Sequence, residues 1–141
     1  MLRRIRGEWH LAVITPYMRP EVRALPKGLI DHGEAAAETA VREAFEESGV
    51  RAELVEKLGD VKYYYQRTFG NFARVFKVVS FFLLQYKSGK IGDITEEMKK
   101  EVEKAEWVPL ASAPKTLSYK GEREMALRAQ KWAERQSEEK S

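Results

Sequence analysis

Three glutamates crowd a short stretch of the chain, directly after an arginine. Arg42 is followed by Glu43, Glu46 and Glu47, and only two uncharged residues, at positions 44 and 45, interrupt this charged stretch. On a helix these carboxylates share one turn, and each like-charge pair costs about 0.2 to 0.5 kcal/mol. A hard divalent cation such as Mg²⁺ offsets that repulsion, because it takes carboxylate oxygens and keeps positions for water and phosphate oxygens. The pattern therefore indicates a metal site or, alternatively, an acidic solvated face of a helix.

The surrounding residues predict the helix itself, from Glu34 to Ser48. Alanine is frequent in this stretch, and Gly49 follows as a natural left-handed helix terminator. Arg42 lies four residues from both Glu38 and Glu46, so it is placed to pair with them. At about 100° per residue, one arc of this helix collects the residues predicted to be buried: Ala37, Ala40, Val41, Ala44 and Phe45.

The segment from Gly28 to Val50 resembles the Nudix box, G-x5-E-x7-R-E-U-x-E-E-x-G-U, in which U is a bulky aliphatic residue. Eight of the nine specified letters match at the required spacing. The departure is Ala44, which stands at the first U position and concerns packing rather than the metal site. So many fixed letters at fixed spacing form a specific signal.

This resemblance implies a fold and a set of site residues. Nudix domains are α/β/α sandwiches, in which the box forms a loop, a helix and a loop against a mixed sheet. By position, the resemblance makes Glu43, Glu46 and Glu47 ligands of Mg²⁺, with Mn²⁺ as an alternative, and adds a backbone carbonyl near Lys27 or Gly28. It makes Arg42 the residue that orients the glutamates and Glu34 a supporting acid near the start of the helix.

The resemblance also implies the reaction, which is hydrolysis of a phosphoanhydride bond in a nucleoside diphosphate linked to another moiety. Glu46 or Glu47 is the box residue expected to meet the attacking water. In some relatives the general base lies on a loop outside the box. The candidates on such a loop are Glu96, Glu97 and Glu101, of which we include Glu97 among the catalytic residues. The alternative for each is an ordinary charged surface.

The substrate rests on weaker signals. Leu25-Pro26-Lys27-Gly28 resembles the L-P-K-G segment of Nudix members that act on dinucleoside polyphosphates, diphosphoinositol polyphosphates and some nucleoside triphosphates. Lys27 is then a phosphate contact, or else a solvated loop lysine. We expect a dinucleoside polyphosphate or a nucleoside triphosphate as substrate. The alternatives are an ADP-ribose pyrophosphatase and, from another class, a non-catalytic Nudix-like ligand-binding domain.

An aromatic run offers a possible platform for a base. Alternation along a strand sends Tyr63 and Tyr65 to one face and Tyr64 to the other. One face can stack a base while Arg74 contacts phosphate. The alternative is that these tyrosines belong to the core.

The remaining elements predict a layered α/β domain. We expect one domain over residues 1–135, followed by a frayed tail at 136–141, and a turn at Gly70-Asn71. The predicted strands are Trp9 to Ile14, Val22 to Leu25, Glu53 to Gln66 (a pair or one long bent strand), Ala73 to Tyr86 and Glu103 to Leu110, and a last helix covers Glu122 to Arg135.

The composition excludes several classes of protein. The 141 residues suit a single domain, and no apolar run approaches the roughly 20 residues that span a bilayer. A net charge of +3 without a dense basic stripe argues against a stable nucleic-acid partner. Cysteine is absent, which excludes thiolate chemistry and fits a cytoplasmic location. We expect a monomer or a homodimer that binds a nucleotide-type small molecule.

Overall fold

The computed structural model describes residues 1–28, 30–67 and 73–139, without the side chains of 65–67, 73–75 and 139. The predicted turn at Gly70-Asn71 lies outside the described residues. The elements, in chain order, are strands β1 (Leu2–Ile5) and β2 (Glu8–Pro16), helix α1 (Ala36–Ser48), strands β3 (Arg51–Arg67) and β4 (Ala73–Ser88), a short 3-10 helix (Met98–Lys100), strand β5 (Val102–Pro109), and helices α2 (Ala113–Thr116) and α3 (Lys120–Glu139).

The five strands form one mixed sheet in the order β3-β4-β1-β2-β5. β1 and β2 are an antiparallel hairpin whose two turn residues, Arg6 and Gly7, both have positive φ, as a tight primed turn requires. β5 pairs antiparallel with β2 along most of its length. The sequence prediction missed β1, because four residues rich in arginine carry no clear alternation.

β3 and β4 form a long antiparallel hairpin. β3 is one continuous strand with register shifts near Glu56 and Gly59, so the alternative of one long bent strand is the correct one. On its other edge β4 is joined to β1 by a single parallel pair, Leu2 with Gln85. Residues 77–84 of β4 pair with β3 on one edge, and in the described part of the chain no strand pairs with their other edge. The sheet separates there.

The two long helices cover opposite faces of the sheet. Leu11 and Val13 of β2 pack in the cluster that holds Met125 and Ala129 of α3. Ala12, which points the other way, packs with Ala44 of α1. This alternation along one strand gives three layers, and it confirms the predicted α/β/α sandwich.

Three predicted elements differ in the structure. Val22 to Leu25 is not a strand, because only Ala24 forms a bridge, to Ile14, and the chain then turns away to Pro26. The last helix is longer than predicted at both ends, from Lys120 to Glu139. The predicted helix of the box begins two residues later, at Ala36.

Candidate active site

The buried face of α1 agrees with the predicted one at Ala44 and differs from it at Phe45. Thr39, Ala44, Glu47 and Ser48 are buried, whereas Phe45 is 37% exposed and lies under the guanidinium of Arg51 at 4.1 Å. The helix is thus rotated so that Ala44 and one carboxylate, rather than the aromatic ring, face the interior. The acidic cluster therefore sits at the edge of the protein interior and not on a fully solvated face.

Arg42 gathers the carboxylates of the box. Its Nε and Nη2 bind the two oxygens of Glu34 at 2.8 and 3.1 Å. Its Nη1 donates to Glu43 at 2.9 Å and to Glu46 at 3.0 Å. The predicted pairing with Glu46 is confirmed. The predicted pairing with Glu38 is wrong, because Glu38 Oε1 instead accepts the N–H of Ala35 at the start of the helix.

Glu34 is held as an anion by this contact. The bidentate Arg42 guanidinium, the hydroxyl of Thr39 at 2.7 Å and the N–H of Asp31 at 3.1 Å lower the pKa of Glu34 to about 2. A planar guanidinium fixes the direction of each carboxylate that it binds. Glu34 therefore orients Arg42, and Arg42 orients Glu43 and Glu46.

Gly28 lies against the carboxylate of Glu43. A Cβ at Gly28 would stand 2.2 Å from the carboxyl carbon of Glu43, so only glycine allows this approach. The main chain of the loop before α1 is thus brought next to a carboxylate of the helix. Burial raises the pKa of Glu43, against the opposing effect of Arg42.

Glu47 is the most enclosed carboxylate of the box, with 9% of its surface exposed. Its Oε2 accepts the main-chain N–H of Lys27 at 2.8 Å. Burial raises the pKa of Glu47 to about 8, and the negative charges of Glu43 and Glu101 act in the same direction. No donor among the described residues binds Oε1 of Glu47. A buried carboxylate of this kind needs a proton or a cation.

The residues present have the chemistry to bind a divalent cation, although the carboxylates of the box do not point to one common position. Among the residues that the structure describes, no three acidic or histidine side chains surround a common position, because Glu43 and Glu46 both turn to Arg42. The donor set nevertheless has the right chemistry. Glu43, Glu46 and Glu47 provide hard oxygen ligands, and Gly28 brings a main-chain segment beside them.

The loop acid that affects the cluster is Glu101. Its negative charge contributes to the raised pKa values of both Glu43 and Glu47. Glu97 lies at the start of the 3-10 helix with an exposed side chain, and in the described part of the chain no hydrogen bond or ion pair joins it to the box. Glu96 is paired with Lys99 at 2.8 Å. The effect of its charge makes Glu101 the stronger candidate, and Glu97 stays a prediction from the sequence.

Lys27 has a partner that the sequence did not indicate. Its Nζ lies 2.9 Å from Oε2 of Glu122, a fully buried carboxylate on α3. The same ammonium lies 5.4 and 5.3 Å from the ring centres of Tyr63 and Tyr119. Glu122 follows Lys27 by about two thirds of the length of the chain, and no local spacing could have revealed the contact.

The predicted aromatic platform is only partly described. Tyr63 and Tyr64 point to opposite faces, as alternation predicts. The hydroxyl of Tyr63 donates to Glu122 at 2.5 Å and its ring packs edge-on against Tyr119, whereas Tyr64 is exposed and lies near Phe76. The side chains of Tyr65 and Arg74 lie outside the described residues.

An apolar cavity of about 270 Å³ adjoins the cluster. It occupies the separation of the sheet beside β4, between the small residues of α1 and those of α3. Lys27 and Gly28 line it as well, so its wall includes the loop that binds Glu47 and lies against Glu43. A cavity of about 150 Å³ can hold benzene, and this one has room for a larger ring system.

The family follows from this site and from comparison with known proteins. The family model of the NUDIX domain matches residues 3–129. A relative named as a mutator protein, MutT4 of Mycobacterium tuberculosis (strain CDC 1551 / Oshkosh), is 39% identical over 103 residues, which cover 73% of this chain and 39% of the relative. The chain belongs to the Nudix hydrolase family, and it spans about two fifths of the length of this curated relative.

Solved structures support the same fold. An Ap4A hydrolase of C. elegans in a binary complex has a TM-score of 0.71 at 18% identity, covering 94% of this chain and 91% of that one. A MutT Nudix hydrolase from Burkholderia pseudomallei has a TM-score of 0.64 at 22% identity, covering 90% and 92%. The Nudix domain of Shewanella oneidensis NrtR, complexed with ADP ribose, has a TM-score of 0.60 at 17% identity, covering 94% and 82%. At these identities the likeness concerns the fold.

None of the helices in the described ranges is long and apolar enough to cross a bilayer.

Proposed function

We propose that this chain is a Nudix pyrophosphohydrolase that uses Mg²⁺ to hydrolyse a phosphoanhydride bond in a nucleoside diphosphate linked to another moiety. The observation that carries the proposal is the buried Glu47, bound to the loop before α1 at Lys27 and adjacent to Glu43. A structural acid at this place would be expected to have a cationic side chain of its own, whereas Oε2 of Glu47 accepts only a main-chain N–H in the described part of the chain. Manganese is an alternative metal.

A bound divalent cation supplies charge neutralisation for phosphate oxygens and lowers the pKa of water. The chain supplies the rest. Arg42 orients Glu43 and Glu46, and Glu34 orients Arg42. Glu101, whose charge raises the pKa values of Glu43 and Glu47, is proposed to take the proton of the attacking water. In the reaction, a water oxygen bonds to phosphorus, the bridging phosphorus–oxygen bond breaks, and the displaced phosphate carries the electron pair away.

The favoured substrates are dinucleoside polyphosphates and nucleoside triphosphates. Lys27 is proposed to contact phosphate, and the apolar cavity beside it is proposed to take the ring system of the substrate. Base stacking is proposed for Tyr63 and Tyr65, which share one face by alternation, and a phosphate contact for Arg74. These two assignments, the monomeric or homodimeric state and the cytoplasmic location stay predictions.

The test is a screen of Mg²⁺-dependent hydrolysis with purified folded protein. Diadenosine polyphosphates, ADP-ribose, and oxidised and normal nucleoside triphosphates are incubated separately, and the products are identified. We expect turnover of a diadenosine polyphosphate or a triphosphate, at a rate that falls on removal of the metal. Hydrolysis of ADP-ribose alone would show that the chain is an ADP-ribose pyrophosphatase. Binding of any of these compounds without turnover would favour a ligand-binding domain.

A further inference from the structure

Glu122 is a fully buried carboxylate that no box position accounts for. It is 0% exposed, and burial of an isolated carboxylate is costly unless donors surround it. Three donors do so. The N–H of Leu25 binds Oε1 at 2.6 Å, while the hydroxyl of Tyr63 and the ammonium of Lys27 bind Oε2 at 2.5 and 2.9 Å.

Two of these donors belong to the loop that enters the box. Leu25 and Lys27 precede Gly28, which lies against Glu43. The side chain of Lys27 is held by Glu122 on α3, and its main chain is held by Glu47 on α1. Lys27 is therefore fixed from both helical layers of the sandwich.

The ammonium of Lys27 has one donor to spare. A lysine ammonium has three N–H donors. One contacts Glu122, and another reaches the carbonyl of Leu25 at 3.3 Å. The third has no acceptor among the described residues, and the rings of Tyr63 and Tyr119 flank the group. With two directions fixed, the third is fixed as well.

We propose that Glu122 is a positioning residue that aims the free N–H of Lys27 at a phosphate oxygen of the substrate. This inference rests on the proposed function, in which Lys27 contacts phosphate. Because Glu122 balances the charge of Lys27, the pair provides a directed hydrogen bond rather than an excess of positive charge. Glu122 itself does not touch the substrate.

The consequence is a specific pattern of coupling. Removal of Glu122 should weaken phosphate binding when Lys27 is present and should have no effect when Lys27 has been replaced. The two residues should therefore behave as one unit, and residues in direct contact commonly couple in this way. Glu53 with Lys87 provides a matched control, since this ion pair at 2.6 Å is exposed at the surface.

The experiment is a double-mutant cycle with Glu122→Gln and Lys27→Met, with inorganic pyrophosphate as the probe. Binding in the presence of Mg²⁺ is measured by calorimetry, kcat and KM are measured on the best substrate, and melting temperatures are recorded. We expect each single variant to lose about tenfold in pyrophosphate affinity, with KM affected more than kcat. The double variant should be no weaker than Lys27→Met, and Glu53→Gln should bind as the wild type does.

Several outcomes would overturn the proposal. They are wild-type affinity in Glu122→Gln, additive losses in the double variant, no binding of pyrophosphate by the wild type, and a lower melting temperature as the only effect. If Glu122→Gln does not fold, Lys27→Met with Glu122→Met replaces the pair by apolar groups, which buried ion pairs often tolerate. Its affinity should equal that of Lys27→Met, and a weaker one would show that Glu122 acts independently. Binding of pyrophosphate does not require turnover. An inactive wild type would therefore refute the proposed function, while the binding measurements would still test the role of Glu122.

Discussion

The main-chain N–H of Lys27 donates a 2.8 Å hydrogen bond to Oε2 of Glu47. This contact ties the loop before α1 to the last turn of the helix, across 20 residues of sequence. It places the residue proposed to meet phosphate beside the carboxylate proposed to bind the metal. The stability of the site and its chemistry therefore depend on the same few groups.

Substitution of Glu47 by glutamine should abolish metal binding without unfolding the protein. The amide keeps an acceptor for Lys27 and cannot ionise, so the melting temperature without metal should be equal at neutral pH and higher above about pH 8, where the buried carboxyl of the wild type loses its proton. Metal at a hundredfold excess over its Kd stabilises a folded protein by about 2.7 kcal/mol. We expect Mg²⁺ to raise the melting temperature of the wild type but not of Glu47→Gln, and turnover to fall about 100-fold or more.

Glu38→Gln is the matched control for this experiment, because Glu38 lies on the same helix, is exposed and, within the described residues, binds the N–H of Ala35 at the start of the helix. A response to Mg²⁺ that survives in Glu47→Gln would refute the assigned metal site.

Gly28→Ala should damage the site more than the fold. The added Cβ would meet the end of the Glu43 side chain at 2.2 Å, and that flexible end can swing away. We expect the free energy of unfolding in urea to change by less than about 1 kcal/mol, while the concentration of Mg²⁺ needed for half-maximal activity rises about tenfold or more. Unchanged metal dependence in a folded Gly28→Ala protein would contradict the importance of this approach.

The pairing of Glu34 with Arg42 should make stability depend on pH in the acid range. The pKa of Glu34 is lowered to about 2 in the folded protein, so the unfolded chain binds its proton first as the pH falls. The stabilisation is complete above the ordinary pKa of a glutamate and is lost as the pH falls from about 4.5 towards 2. Urea unfolding across this range should show a shallower decline in Glu34→Gln than in the wild type. Parallel curves would mean that the pair contributes nothing to stability.

Glu101 and Glu97 offer a direct comparison on one loop. Glu101 influences the pKa values of Glu43 and Glu47, whereas Glu97 has no contact with the box in the described ranges. We expect Glu101→Gln to lower kcat at least about tenfold, in line with the loss of a general base, and Glu97→Gln to leave it within about twofold. Initial rates at saturating substrate decide the question. The reverse order would restore Glu97 as the base.

The sequence by itself determined the helix of the box and the crowding of its glutamates. Both follow from spacing within one stretch of chain, where the helical repeat dictates which side chains are neighbours. The same local logic predicted that Tyr63 and Tyr64 face opposite ways and that Arg42 pairs with Glu46.

Only the tertiary structure decided how that helix is used. Phe45 lies outward and Glu47 inward because the rotation of a helix depends on the surface that it packs against, and not on its own repeat. Arg42 binds Glu34 rather than Glu38 because the loop before α1 folds back onto the helix. Glu122 contacts Lys27 although it lies near the other end of the chain. Such contacts between distant segments depend on how the strands and helices are connected and packed, which no local pattern encodes.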